Sequence, residues 1–414
     1  MGFDARLLTP LLIQKIVVSG AETRSFTRAV KVMDQVGGQG VSRNTMQRVV
    51  GDVGGELAVR RDANPKTAEA LADCPEEPPE LAVVECDGGR IRTRVPDQGP
   101  GVHLSGKGWS ETKNACLIRA TRQTFDEDPQ PEPPACFCDP KHVAKLVESE
   151  ALSVATPAGN GDDQGEVDED EPQGPLGFDG DWRAKRLVRT VVSSMACSRQ
   201  FGRQMAREAK RRHFSQAAAR AFLGDGLGWN WSIWKEQFSE YIPILDFIHP
   251  LSYLHATAKA VYELDEDVWS QYLVWMRGCW QGEVDQILSE LRLWQEKLGL
   301  PPADVADTDP RSVVAATITY LQNNRLRMKY PEYRRGGLPV TTAWMESLVK
   351  EMNYRVKGTE MFWNDPEGAE AILQVRAASL SDDDRLAKHL ATRPGSPFVR
   401  RPKLPKSNVE KRKS

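Results

Sequence analysis

The 414-residue chain contains no uninterrupted apolar run of about 18 residues, the least that would cross a bilayer core as a helix. Its most apolar early stretch, Leu7–Val18, is broken by Pro10, Gln14 and Lys15 and lacks the basic start and small-residue cleavage site of a secretory leader. Cysteine is sparse: seven, an odd number scattered over a long chain, which fits a reducing compartment better than a disulfide framework. There is no phosphate-binding Gly-Lys-Thr loop, no nucleophile elbow and no HExxH helix, so NTPase, serine-hydrolase and zincin chemistry have nothing to rest on. A cytoplasmic protein is expected.

With 40% apolar and 27% charged residues the chain can build a sizeable core. Its net charge of −3 hides a segregation. Asp126–Asp181 carries 16 acidic residues against 2 lysines; Arg183–Arg220 carries 11 basic against 1 acidic, and Ala391–Ser414 carries 8 basic against 1 acidic. Basic blocks of this kind point to a polyanionic partner.

Seven segments are expected: a helical region over 1–80, strands and extended runs over 81–125, an acidic, Pro/Gly-rich loop over 126–181 with one short helix at 140–155, further strands and a basic helix over 182–255, Trp-rich helices over 256–335, a helix-bearing segment over 336–380, and a flexible basic tail over 381–414. In the first of these, the turn Gly37-Gly38-Gln39-Gly40 precedes Ser42, a candidate N-cap, and Met46, Val49 and Val50 at helical spacing. That leaves Arg43, Asn44, Gln47 and Arg48 on the outside, as in a helix-turn-helix, although a plain helical hairpin fits equally well. The strands are read as 81–87 with a glycine corner at Gly88-Gly89, 113–121, 186–192, 219–223 and 241–248, the last closed by Pro250.

Three carboxylates stand out. Asp87 and Asp225 each follow an apolar strand and have glycines beside them, leaving room for a metal ion and a phosphate, although Asp-Gly is also ordinary turn chemistry. Glu346 lies at the margin of the apolar stripe Met345, Leu348, Val349 and Met352, with Lys350, Asn353 and Lys357 on its side as a polar strip suited to a backbone phosphate; Glu351 lies further toward solvent. Two carboxylates on neighbouring strands and one on a later helix can hold two hard cations for in-line phosphodiester displacement. Asp246 and His249, after the next strand, are either auxiliary to that site or a structural pair. The tryptophans of Gly228–Trp234 are expected to pack in the core, and Cys136-Phe137-Cys138 with His142 is half a zinc pattern without a second half.

DGGRIRTR at 87–94, WSETK at 109–113, LVRT at 187–190, AFLGDGLGWNW at 221–231, ILDFIHPLSYLHATAKAVYE at 244–263 and TTAWMESLVKEMNYRVKGTEMFW at 341–363, in that order, resemble bacterial insertion-sequence transposases. The group resembled is the Kra-type insertion-sequence family, related to the Mutator-like DDE enzymes. The resemblance implies an α/β RNase H-like catalytic core with an all-α insertion and a helical N-terminal DNA-binding region. It implies Asp87, Asp225 and Glu346 as the catalytic, metal-holding triad, and matches Asp246 and His249 to the D-x-x-H signature after the second aspartate. The implied activity is Mg²⁺- or Mn²⁺-dependent cleavage at transposon ends and strand transfer into target DNA, by a dimer or higher oligomer on double-stranded DNA near the bacterial nucleoid. Another RNase H-like nuclease, or a DNA-binding remnant without chemistry, are the rival expectations.

Overall fold

The computed structural model describes residues 8–63, 77–94, 108–154, 182–357, 362–363 and 366–393. It is a mixed α/β structure built on a five-stranded sheet. The strands are β1 (Leu81–Arg92), β2 (Trp109–Ala120), β3 (Arg186–Ser194), β4 (Ala219–Gly224) and β5 (Ile242–Leu245), in the order β3-β2-β1-β4-β5. β2 runs antiparallel to both β1 and β3, whereas β1, β4 and β5 are parallel. The apolar run that opens β1 is buried on both faces: Leu81 and Val83 enter one core, and Ala82, Val84 and Cys86 the other.

The first core is covered by α1 (Pro10–Glu22), α2 (Phe26–Gly37) and α3 (Arg43–Arg61) together with two late helices, here α12 (Ala343–Val356) and α13 (Pro366–Ser379). Ser42 caps α3, its hydroxyl accepting from the Thr45 amide at 3.1 Å, and Met46, Val49 and Val50 are buried. Gly38 closes α2 in the left-handed region, where glycine carries no Cβ penalty. Gly54 lets α3 lie directly on α13: a Cβ there would stand 2.1 Å from the Ala371 carbonyl oxygen. The second core lies under α5 (Ser198–Arg211) and α6 (Gly228–Gln237).

After β5, α7 (Ile248–Val261), α8 (Asp265–Trp280), α9 (Val284–Leu298), α10 (Pro310–Asn324) and α11 (Tyr330–Arg335) form a helical unit before α12. Trp275 and Trp280 are buried in it; their indole N–H groups donate to Glu290 at 2.7 Å and to the Gln130 carbonyl at 2.9 Å.

Four expectations need correction. Gly88-Gly89 makes no corner: neither residue has a positive φ, and β1 continues to Arg92 because β2 is equally long and pairs with it throughout. β5 stops at Leu245, and Pro250, rather than closing it, sits in the first turn of α7, where a missing N–H costs nothing. The start of the acidic segment is folded. Buried Phe137 packs edge-on against Phe247, Asp128 accepts from the fully buried Arg334, and the expected short helix is α4 (Pro140–Val154). An enclosed guanidinium demands a carboxylate, which is what orders Asp128. Residues 381–393, expected to be tail, are also folded. They include α14 (Arg385–Thr392); Asp383 pairs with Arg211, Arg212 and Arg385, and His389 and Arg393 meet Glu56. The remainder of both segments, including the tail from Pro394, lies outside the described residues. No helix among them is long and apolar enough to cross a membrane.

Candidate active site

The parallel register carries three aspartates to one level of the sheet. Glu85 pairs with Leu223 and Gly224 with Leu245, so one or two residues further on Asp87, Asp225 and Asp246 stand side by side past the last paired positions. Strand alternation then sets the face. Leu81, Val83 and Leu223 belong to the core beneath α12, and Asp87 and Asp225 share their parity. α12 lies across β1 and β2 on that face, with Glu346 in its first turn, where the helix dipole favours an anion. Asp87, Asp225 and Glu346 are all half-buried.

Each carboxylate is held differently. Asp225 accepts from the Leu227 amide at 2.9 Å and from the Asn230 side-chain amide at 2.6 Å. Its backbone carbonyl accepts from the Tyr320 hydroxyl at 3.0 Å, so α10 reaches the same loop. Gly226, at φ +100°, permits this approach, because a Cβ there would stand 2.8 Å from the Tyr320 ring. Burial pushes the Asp225 carboxyl up; His249 and the Leu227 amide oppose that, and Asp246 adds to it. Asp87 accepts from the Gly88 amide at 2.6 Å and lies opposite Asn114, itself held by the Ser193 hydroxyl at 2.7 Å.

Asp246 is fully buried and fully committed. One oxygen accepts from the Thr342 amide at 2.7 Å, at the start of α12. The other accepts from the amides of Ile248 and His249 at 3.1 and 3.2 Å and contacts the His249 Nδ1 at 2.7 Å. It therefore caps α7 and fixes the helix that carries Glu346. Asp246 thus joins the end of β5 to the starts of α7 and α12, with His249 as its side-chain partner.

Two residues escaped the sequence reading. Asn230, completely buried, orients Asp225; the only hint was a polar residue among the tryptophans of Gly228–Trp234. Glu85 is also completely buried, and among the described residues neither of its carboxyl oxygens has a partner with hydrogen-bond geometry, although the Met345 amide lies close. Burial pushes its carboxyl well above the ordinary range, and Asp246 and Glu346 push it the same way against that amide. Its signal was a lone acid inside the apolar strand Leu81–Cys86.

The remaining predicted residues lie apart from this centre. Lys350 and Lys357 are exposed and Asn353 half-buried along α12; Arg43, Asn44, Gln47 and Arg48 are all exposed at the start of α3. Glu351, expected in solvent, is instead the bidentate partner of buried Arg189 at 3.0 and 2.8 Å. Trp231 and Trp234 pack beneath Arg327, 4.1 and 6.0 Å from their ring centres, so they tie α6 to the helical unit. Among the described residues no three His, Cys, Asp or Glu side chains are close enough to ligate one ion. That holds for Cys136, Cys138 and His142 as it does for the carboxylates. Register sets Asp87 level with Asp225, but with Glu346 they do not close into a cage.

No known protein-family model matches the chain, and no curated protein matches it either.

Proposed function

We propose that the protein is a DDE-type transposase of an insertion sequence, with an RNase H-like core interrupted by the all-α segment 256–335 within α7–α11, and that Asp87, Asp225 and Glu346 are its catalytic carboxylates. The observation that carries the reading is the register that sets Asp87 level with Asp225 on adjoining parallel strands, on the face crossed by the helix bearing Glu346. The order of three antiparallel strands followed by two parallel ones, with helices on both faces, supports the same reading.

The donor set fits a hard cation: three carboxylates, no thiolate, and a buried Glu85 on the same strand as Asp87 with no hydrogen bond among the described residues. Mg²⁺ or Mn²⁺ held by Asp87, Asp225 and Glu346 would supply charge stabilisation for phosphodiester displacement. The chain's own residues do the positioning. Asn230 and the Leu227 amide fix the Asp225 carboxylate, and Asp246 fixes the start of α12. Double-stranded DNA is the substrate in this reading, with the exposed start of α3 and the Lys350–Lys357 strip as its contacts.

The test is cleavage and joining of labelled duplexes carrying the inverted repeats that flank the gene, with Mg²⁺ or Mn²⁺, by wild type and Asp225→Asn. Nicking at the ends with joined products, both lost in the variant, is expected. Nicking without end preference would point instead to an RNase H-like nuclease, and binding without chemistry to a DNA-binding remnant.

A further inference from the structure

α5 lies on the face of the sheet opposite α12, so its outer surface looks away from the three carboxylates. Its inner side is apolar: Phe201, Met205 and Ala209 are buried, and Gly202 admits Ile233 to within 3.2 Å of where a Cβ would sit. Its outer side repeats arginine every fourth residue, Arg199, Arg203 and Arg207, and Lys210 continues it. Arg199 and Arg203 are exposed, and Arg207 is half-buried.

The arginines of this helix fall into two classes. Arg211 and Arg212, at its end, are both met by Glu208 and Asp383. Arg199, Arg203 and Arg207 make no ion pair among the described residues. Arg207 donates only to the carbonyls of Arg61 and Ala63, at 2.8 and 3.1 Å. It lies in the field of Asp62 and stands at a cavity of ≈ 90 Å³ whose wall also carries Arg60, Arg61, Arg211, Arg385 and the carboxylate Glu208, so the cations without a neighbouring carboxylate are Arg199 and Arg203.

Like charges four residues apart destabilise an isolated helix. Within this stripe the chain has placed two such pairs in succession and no carboxylate between them, although it neutralises the neighbouring arginines. A repeat of four residues advances about 6 Å along a helix axis, and guanidinium is the group that grips phosphate bidentately. We infer that the outer face of α5 seats the phosphodiester backbone of duplex DNA, as a surface separate from the carboxylate site. The choice of DNA among polyanions rests on the transposase reading; the existence of a polyanion seat does not.

The test uses the full chain and a labelled duplex of sequence unrelated to the terminal repeats, with fluorescence anisotropy read over a salt series. Variants are Arg199→Gln/Arg203→Gln, which breaks no hydrogen bond among the described residues, and the charge-keeping Arg199→Lys/Arg203→Lys. Removing one arginine–phosphate pairing lowers the slope of log affinity against log salt by about 0.9. The glutamine pair is therefore expected to flatten the slope by about 1.8 and to weaken low-salt binding at least tenfold. The lysine pair should keep the wild-type slope, and circular dichroism should be unchanged in both. A glutamine pair with the wild-type slope would overturn the seat while leaving the transposase reading standing. Wild type that binds no duplex at any salt would overturn both, and polyglutamate displacing the duplex as well as unlabelled DNA does would overturn the choice of partner.

Discussion

Asp225 and Asp246 occupy equivalent places at the ends of adjoining strands, yet their surroundings divide their roles. Asp246 has given its oxygens to three backbone amides and one imidazole. Asp225 is held by two donors on a single oxygen, Oδ1. Asp246→Ala strands buried amides and is expected to cost about 3 kcal/mol, read as a lower urea midpoint with circular dichroism. Asp225→Asn should leave that midpoint within about 0.5 kcal/mol of wild type. Equal midpoints for the two variants would contradict this division. Glu85 is the converse case, a buried acid that no hydrogen bond repays. Glu85→Leu should raise stability by about 1–3 kcal/mol at pH 8 by removing an unsatisfied polar group, so a lower melting temperature would count against it. The sequence displayed Asp87, Asp225 and Glu346 because each breaks an apolar pattern beside glycine or at a stripe margin. Asn230 was hidden, since its meaning lies in a turn five residues from Asp225 that only the folded chain forms.

At the scale of elements, α5 and α14 are joined by an ion network in which burial is outweighed by paired charge. Burial pushes Glu208 up, but Arg385, Arg211 and Arg212 hold it at about 2; Asp383 is likewise held at about 2, chiefly by Arg385. Glu56, despite its own burial, is held at about 2 by His389 and Arg393. Carboxylates depressed in the fold stabilise it above their unfolded values and lose that contribution as pH falls toward 2. Stability should therefore be flat near neutrality and fall from about pH 4.5 downward. Arg385→Met, which leaves Glu208 and Asp383 facing fewer cations, should cost about 3 kcal/mol at pH 7 and soften the acid transition. An acid transition unchanged in that variant would show the network to be idle. This network was illegible in the sequence because Asp383 and Arg385 lie about 170 residues from their partners. Local composition there showed only a charged stretch near a basic tail. The helices themselves were legible where a cap and a stripe coincide, as at Ser42 with Met46, Val49 and Val50. Boundaries failed where the decisive contact was remote, as for β1, which β2 extends through two glycines.

Over the whole molecule, the sheet separates two surfaces of opposite character. One is crossed by α12, which bears Glu346; the other carries the arginine stripe of α5. The helices that follow β5 are tied to the sheet through Tyr320 at the Asp225 loop and through Arg327 over Trp231. The central claim is that Asp87, Asp225 and Glu346 act together in phosphodiester cleavage, and single-variant nicking of a plasmid carrying the flanking repeats in Mn²⁺ tests it most directly. Asp87→Asn, Asp225→Asn and Glu346→Gln should each lower the nicking rate at least a hundredfold with wild-type melting temperatures, whereas Glu351→Gln, whose side chain lies on the same helix as Glu346 but pairs with Arg189, should retain nicking. A wild-type rate in any of the first three would contradict the account.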